Sequence, residues 1–300
     1  ADNPVPELGN RTPLEAARIP HIDALARRGI VGSVSNCPKG LPAGSDTAIT
    51  SIFGCDPNKY YTGRAPLEAA ASGLMLSPGD IAYRCNMVCY EDAPGKPFES
   101  LRILSHSAGS IEGDESDAIV TALFADPEFA EAAKRAGMRV YPASSFRHIA
   151  VQSGAVAEGM KLCPPHDHLG EEIGPYLPSG SENAGVLREL MRLAWEKLDH
   201  HPLNESRRAR GKMPANGVWF WAEGTAVKLP SFYEQFGKTG GVVSAVPLCH
   251  GIAALTGLEP IHVHGATGEL ETNLEGKVLA AVKTLETHDV AALHYEAPDE

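Results

Sequence analysis

The sequence predicts an α/β protein in which a parallel-sheet core is interrupted by an inserted α+β unit. Two observations carry this expectation. From Asn216 onward, short apolar runs alternate with helical patterns, the signature of parallel strands joined by helices. The middle of the chain mixes strands and helices in no such order, as an α+β unit does. The expected divisions are 1–78 and 215–300 for the core and 79–214 for the insertion. A length of 300 residues accommodates two domains, or one domain carrying an insertion.

The elements follow in chain order. Residues 1–11 read as a loop. Thr12-Pro13-Leu14-Glu15 is a capping box with proline at the first helical position. Ile22, Leu25 and Ala26 continue a helical stripe that Gly29 ends, and Ile30–Val34 is expected as a short strand. The loop LPAGSDTA leads into the helical TAITSIFG, and a further helix is expected over 66–71. In the middle, 82–89, 101–104, 139–141 and 146–151 read as strands, and 114–124 and 128–136 as helices. Leu187, Leu190, Met191, Ala194 and Leu198 share one face of a long amphipathic helix. The segment HPLNESRRARGKMPAN is polar and basic and reads as a solvated connection leading out of the insertion. GVWFWAEG is then expected as the first strand of the regular alternation, with Trp219, Phe220 and Trp221 buried on both faces. SFYEQFG reads as a short helix, GGVVSAV as a strand, and PLCHGIAALTG as a helix opened by Pro247. PIHVHG (strand), LEGKVLAAVKTLETH (helix) and DVAALHYEAPDE (strand running into a loop) complete the series. Such sheets bind ligands at the carboxyl ends of their strands, and Asp299 and Glu300 fall just past one. An α/β core opens on a strand, whereas this chain opens on a loop and a helix. It also stops just after a strand, so both ends are read as truncated.

The formal net charge of −12 makes nucleic acid and anionic membranes poor partners. An anionic metabolite can still bind where local cations or metals invert the field. No apolar run is long enough to span a bilayer, and no signal-peptide pattern is seen at Ala1. The six cysteines lack zinc-site spacing and read as free thiols in a reducing cytoplasm.

Ser45 and Asp46 stand between a Pro/Gly-rich loop and a helix start. Both residue types cap helices, since a side-chain oxygen there satisfies an orphan N–H. A serine at that place also sits in a positive field that favours an oxyanion or a phosphate. The segment alone leaves cap and nucleophile open.

The segments PVPELGNRTPLEAA, IPHIDALARRG, LPAGSDTA, DPNKYYTGRAPLEAA, CPPHDHLGEEIGPYLP, PSFYEQFG, GATGELETN and EAPDE occur in this order. Together they resemble the cofactor-independent phosphoglycerate mutases of archaeal type, within the alkaline phosphatase superfamily. The likeness runs through nearly all of the chain. It implies an alkaline-phosphatase-like, metal-binding core split by a substrate-covering insertion. It implies interconversion of 3-phosphoglycerate and 2-phosphoglycerate through a phosphoserine, with two divalent metals, Mn2+ or Mg2+, and no 2,3-bisphosphoglycerate. The partner is then a small phosphorylated metabolite; the oligomeric state is left open. Rival readings are a homoserine kinase-like phosphotransferase of the same family and a non-catalytic relative or fragment.

Residue by residue, the resemblance gives Ser45 as the nucleophile and a metal ligand, and Asp299 as a metal-ligand aspartate. Asp46 keeps its capping role as an alternative. Asp2 matches the end of a GDGMAD-like motif, whose ligand aspartate would precede Ala1. The histidine that follows Asp299 in the family would lie past Glu300, so the chain as cut is expected to bind metal poorly and not to turn over. Arg147 and His148 in SFRHIAV, His166 and Asp167 in PPHDH, and Arg64 in YYTGRAP are carried over as substrate-binding residues. Arg147 can grip a carboxylate or phosphate through its planar fork, with a plain surface arginine as the alternative. Lys228 reads equally as a ligand contact or a solvated lysine. His106 stands before SAG where the family has an aspartate, so no role is carried to it. His262 and His264 read as structural.

Overall fold

The computed structural model describes residues 3–41 and 43–296. It divides into two compact units, 1–36 and 37–300.

In the first unit, α1 (Pro13–Ala16) carries the expected capping box: Thr12 Oγ1 accepts from the Glu15 N–H at 3.2 Å, and the Thr12 N–H donates to Glu15 Oε2 at 2.8 Å. α2 (Pro20–Arg28) follows and ends at Gly29. The strand expected at 30–34 does not form; Ile30, Val31 and Val34 are exposed coil. Apolar β-branched residues favour a strand only where a neighbouring strand completes the ladder, and the described part of this unit offers none.

The second unit begins with α3 (Ser45–Ile52), α4 (Pro57–Tyr60) and α5 (Ala65–Ala71). Next comes β1 (Asp80–Tyr90), buried along its whole length. β2 (Ile103–Ser105), α6 (Gly113–Ala125), α7 (Pro127–Arg135), β3 (Met138–Tyr141), β4 (Arg147–Ser153), α8 (Glu182–Leu198), α9 (Pro202–Ala209) and β5 (Gly217–Thr225) complete this region. These strands form one antiparallel sheet. β1 lies between β4 and β5, β3 flanks β4, and β2 pairs with the last residues of β1. Leu187, Leu190, Met191 and Ala194 of α8 share its core with Tyr83, Met87 and Phe220.

Two expectations are corrected here. β5, read as the opening strand of a parallel core, is an antiparallel neighbour of β1, with Phe220 opposite Cys85 and Gly217 opposite Val88. Local periodicity reports a strand but not its partner. The choice of partner shows in Gly217, where a Cβ would lie 2.1 Å from the Tyr90 ring, so only glycine lets the strand approach. Burial of Trp219, Phe220 and Trp221 is as expected. The basic segment after α8 is helix α9, not a solvated connection. Arg207 is 2% exposed and donates to the Met213 and Ala108 carbonyls at 2.8 and 3.0 Å, and to Glu115.

α10 (Phe232–Phe236), β6 (Gly240–Val243), α11 (Pro247–Thr256), β7 (Glu259–Ile261), α12 (Leu274–Thr284) and β8 (Val290–Leu293) then alternate as predicted. The strands form a parallel sheet in the order β7-β6-β8. α11 packs so closely on α5 that a Cβ at Gly251 would lie 1.9 Å from the Leu67 carbonyl oxygen. That contact fixes α5, which carries Glu68 and follows directly on Arg64, two side chains of the site below. Among the described residues no helix is long and apolar enough to cross a membrane.

Candidate active site

Ser45 is not the cap of α3. Gly44 holds the N-cap position in extended backbone (φ −141°, ψ 163°), and Ser45 is the first helical residue. Its neighbours hold the helix start: Thr47 Oγ1 accepts from the Gly44 N–H at 3.5 Å and donates to the Gly44 carbonyl at 2.9 Å, and Asp46 Oδ1 accepts from the Thr47 N–H at 3.0 Å. A Cβ at position 44 would lie 2.6 Å from Asp46 Oδ1, so a larger residue there would have to displace that carboxylate. Ser45 is left exposed, with no hydrogen bond among the described residues, at the positive end of the helix. Asp46 is buried, and its Oδ2 accepts from the Tyr61 hydroxyl at 2.5 Å. Burial, reinforced by the Asp46 bond and charge, pushes the Tyr61 hydroxyl well above its ordinary value, while Arg64 and Arg84 pull the other way. Tyr61 is thus bonded to the serine's helix and lies within the field of Arg64 and Arg84.

The arginine group is built from α5, β1 and β4. Arg64 precedes the first turn of α5, and Glu68 lies one turn later. Arg84 projects from β1 opposite Trp221 of β5, and Arg147 opens β4 opposite Asn86. Arg84 grips Glu68 with two donors, Nε to Oε2 at 2.8 Å and Nη2 to Oε1, while Arg64 Nε donates to Oε1 at 3.2 Å. The Arg84 and Arg147 guanidinium carbons lie 4.6 and 5.9 Å from the centre of the Trp221 ring, and Arg147 is 5.0 Å from that of Phe146. Burial would raise the Glu68 carboxyl, but the Arg84 bonds and charge, with Arg64 and Arg147 behind them, hold it below its ordinary value. Arg64 and Arg84 share the Glu68 carboxylate, while Arg147 makes no bond to it and only feels its charge. Arg147 Nε is buried without a hydrogen-bond partner, and burial together with the Arg84 charge pushes this guanidinium down to about 10. A buried charged donor lacking an acceptor is costly; an anionic ligand removes that cost.

The Trp221 ring is held by its Nε1–H to Asn86 Oδ1 at 2.9 Å, and Asn86 Nδ2 donates to the His106 carbonyl at 2.9 Å. The His106 ring meets those of Phe146 and His166 at 5.8 Å each, and His166 meets Trp221 at 5.3 Å. Burial, then the His166 and Arg147 charges, lowers the His106 imidazole. Just after it, Ala108, Gly109 and Ser110 all have positive φ (48°, 70°, 56°), a strained turn beside the cluster.

Of the residues predicted from sequence, Arg64, Arg147 and His166 come together around Glu68 and Trp221. Asp167 is exposed, with its carboxylate 3.6 Å from His166 Nε2. His148 is fully buried with both ring nitrogens in use: Nδ1 accepts from the Ala143 N–H at 3.2 Å, and Nε2 lies 3.1 Å from Ser116 Oγ. It offers nothing to a substrate, which corrects its expected role. Lys228 is exposed. Asp299 and Asp2 lie outside the described residues. Among the described residues no three His, Cys, Asp or Glu side chains come together as a metal site, so they do not by themselves hold the implied metals. Reading the sequence missed Arg84, Asn86 and Glu68. The first two carried a signal, polar side chains inside the apolar run IAYRCNMVCY, where burial demands partners.

The His148 environment gives a pH dependence. Burial pushes its imidazole down to about 4 from an ordinary 6.5, against a weaker pull from Asp117. Between those values the unfolded chain binds more protons than the folded one. Stability present above pH 6.5 is therefore lost as pH falls toward 4, by about 3 kcal/mol for this group. Urea midpoints across that range are expected to show the slope, and His148→Gln to remove this part of it.

The family described as 2,3-bisphosphoglycerate-independent phosphoglycerate mutase matches residues 26–204. A probable enzyme of that name from Geobacter sulfurreducens is 45% identical over 303 residues, covering 100% of this chain and 72% of the relative. One from Methanosarcina mazei is 43% identical, with 100% and 72% covered. A solved structure of a Pyrococcus horikoshii protein superposes with a TM-score of 0.75 at 32% identity, over 99% of this chain and 68% of the other. The cofactor-independent phosphoglycerate mutase of Thermoplasma acidophilum gives 0.59 at 26% identity, over 98% and 73%. With its α/β architecture and its exposed serine at a helix start, the chain belongs to the 2,3-bisphosphoglycerate-independent phosphoglycerate mutase family.

Proposed function

We propose that this chain interconverts 3-phosphoglycerate and 2-phosphoglycerate through a phosphoserine at Ser45, a reading that its family membership supports. Ser45 Oγ attacks phosphorus, the bond from phosphorus to the glycerate oxygen breaks, and that oxygen takes a proton. The neighbouring hydroxyl of the same glycerate then attacks phosphorus, and Ser45 recovers its proton. The observation that supports this reading is an exposed serine hydroxyl, unbonded among the described residues, on a helix bonded through Asp46 to Tyr61, whose own hydroxyl feels the charges of Arg64 and Arg84. Arg147, Arg64 and His166 would hold the glycerate during the exchange, and Asp167 at the exposed rim would steady His166. Two divalent metals, Mn2+ or Mg2+, with Ser45 and Asp299 among their ligands, would lower the serine hydroxyl's pKa and neutralise phosphoryl charge. No 2,3-bisphosphoglycerate is required. Residues 79–214 would cover the site and exclude water, the competing acceptor. The six free thiols fit a cytoplasmic setting.

The test is acid quenching of the full-length protein during turnover on 3-phosphoglycerate, followed by peptide mass spectrometry. One phosphoryl group on the peptide containing Ser45 is expected, with no product from homoserine and a phosphate donor. Turnover with the phosphoryl group on another residue, or on none, overturns the proposal.

A further inference from the structure

We infer that Glu68 is a positioning residue of this site, fixing the guanidiniums of Arg64 and Arg84 while Arg147 is left for the ligand, and so keeping the glycerate in place between the two transfers. The inference rests on the phosphoserine reading and adds a role to it. Glu68 lies on α5 with its side chain 15% exposed, and both carboxylate oxygens are used: Oε2 by Arg84 Nε, and Oε1 by Arg84 Nη2 and Arg64 Nε. A planar guanidinium held by two donors on one edge has its other edge aimed. The Trp221 face below Arg84 sets the remaining tilt, and that ring is itself locked by Asn86. Arg147 is in the opposite state. It shares the ring and feels the Glu68 charge, yet its Nε has no acceptor. Glu68 therefore divides the three arginines into two that are oriented by the protein and one that is left for a ligand. Without the carboxylate, three like charges repel one another and the two oriented forks come loose.

The consequence is chemical. Once Ser45 carries the phosphoryl group, free glycerate must stay and present its other hydroxyl. If it escapes, water attacks phosphorus instead, the serine–phosphate bond breaks, and inorganic phosphate and glycerate appear in solution. Loss of positioning therefore shows as a changed partition between isomerisation and hydrolysis. A purely structural role would lower both together.

The experiment compares the full-length parent protein with its Glu68→Gln and Glu68→Asp variants, reading isomerisation, inorganic phosphate release and phosphoserine on each, with thermal midpoints alongside. In Glu68→Gln, phosphoserine still forms at Ser45, isomerisation falls at least tenfold, and the fraction of turnovers releasing phosphate rises at least tenfold. Glu68→Asp keeps the charge one methylene short, and its partition lies between the other two. If the Gln variant does not fold, the Asp variant decides alone: release raised at least threefold supports the inference, and a parent-like partition overturns it. A parent-like partition in a folded Gln variant overturns the role of Glu68 and leaves the Ser45 reading intact. Absence of phosphoserine in the parent overturns that reading and this inference with it.

Discussion

Replacing Ser45 by alanine is expected to lower phosphoryl transfer by about 10⁴-fold or more, because the hydroxyl proposed to carry the phosphoryl group is gone. The same change is expected to leave folding stability within about 0.5 kcal/mol. Both halves follow from where the side chain sits. Ser45 is exposed, is the first residue of α3, and makes no hydrogen bond among the described residues. Alanine is a good helix former at such a place. Had Ser45 been the cap, its loss would cost about 1 kcal/mol. Because capping falls to Gly44, Asp46 and Thr47, catalysis and stability separate cleanly at this residue. Kinetics and a urea midpoint on one preparation check both. Activity within tenfold of the parent, or a midpoint shifted as for a lost cap, contradicts the arrangement.

The parts of the fold that sequence made legible are those decided locally. The Thr12–Glu15 capping box closes over three residues, and the alternation from Gly240 to Leu293 rests on apolar periodicity and on Pro247 opening a helix. What escaped was decided by distant partners. β5 looks like any buried strand, and its place beside β1 depends on Gly217 meeting the Tyr90 ring. Arg207 reads as part of a solvated basic run, yet its acceptors are Ala108, Met213 and Glu115. The site divides in the same way. The family resemblance pointed to Ser45, Arg64, Arg147 and His166. It did not reveal that Glu68 and Arg84 organise the arginines, nor that both nitrogens of His148 serve the fold. A motif names a residue type at a position, while the role depends on which atoms already have partners.

Arg147 and Arg84 are both guanidiniums against the Trp221 ring, yet their substitutions are expected to act on different quantities. Arg147→Met should weaken 3-phosphoglycerate binding by about 10²-fold, in the range for removing one partner of a desolvated charge pair, with little loss of stability. Nothing in the described protein accepts a hydrogen bond from its Nε, so folding loses no bond there. Lysine is not expected to restore binding, because a point charge cannot reproduce the planar fork. Arg84→Met, by contrast, leaves the largely buried Glu68 carboxylate with Arg64 as its remaining partner and should cost about 1.5–3 kcal/mol of stability. Arg147 stays charged throughout, since a guanidinium does not lose its proton in a protein. Calorimetric titration of 3-phosphoglycerate into the parent and the Arg147 variants, with urea midpoints for Arg84→Met, measures both effects. An Arg147→Met variant that binds as tightly as its parent would place the ligand's anionic group elsewhere.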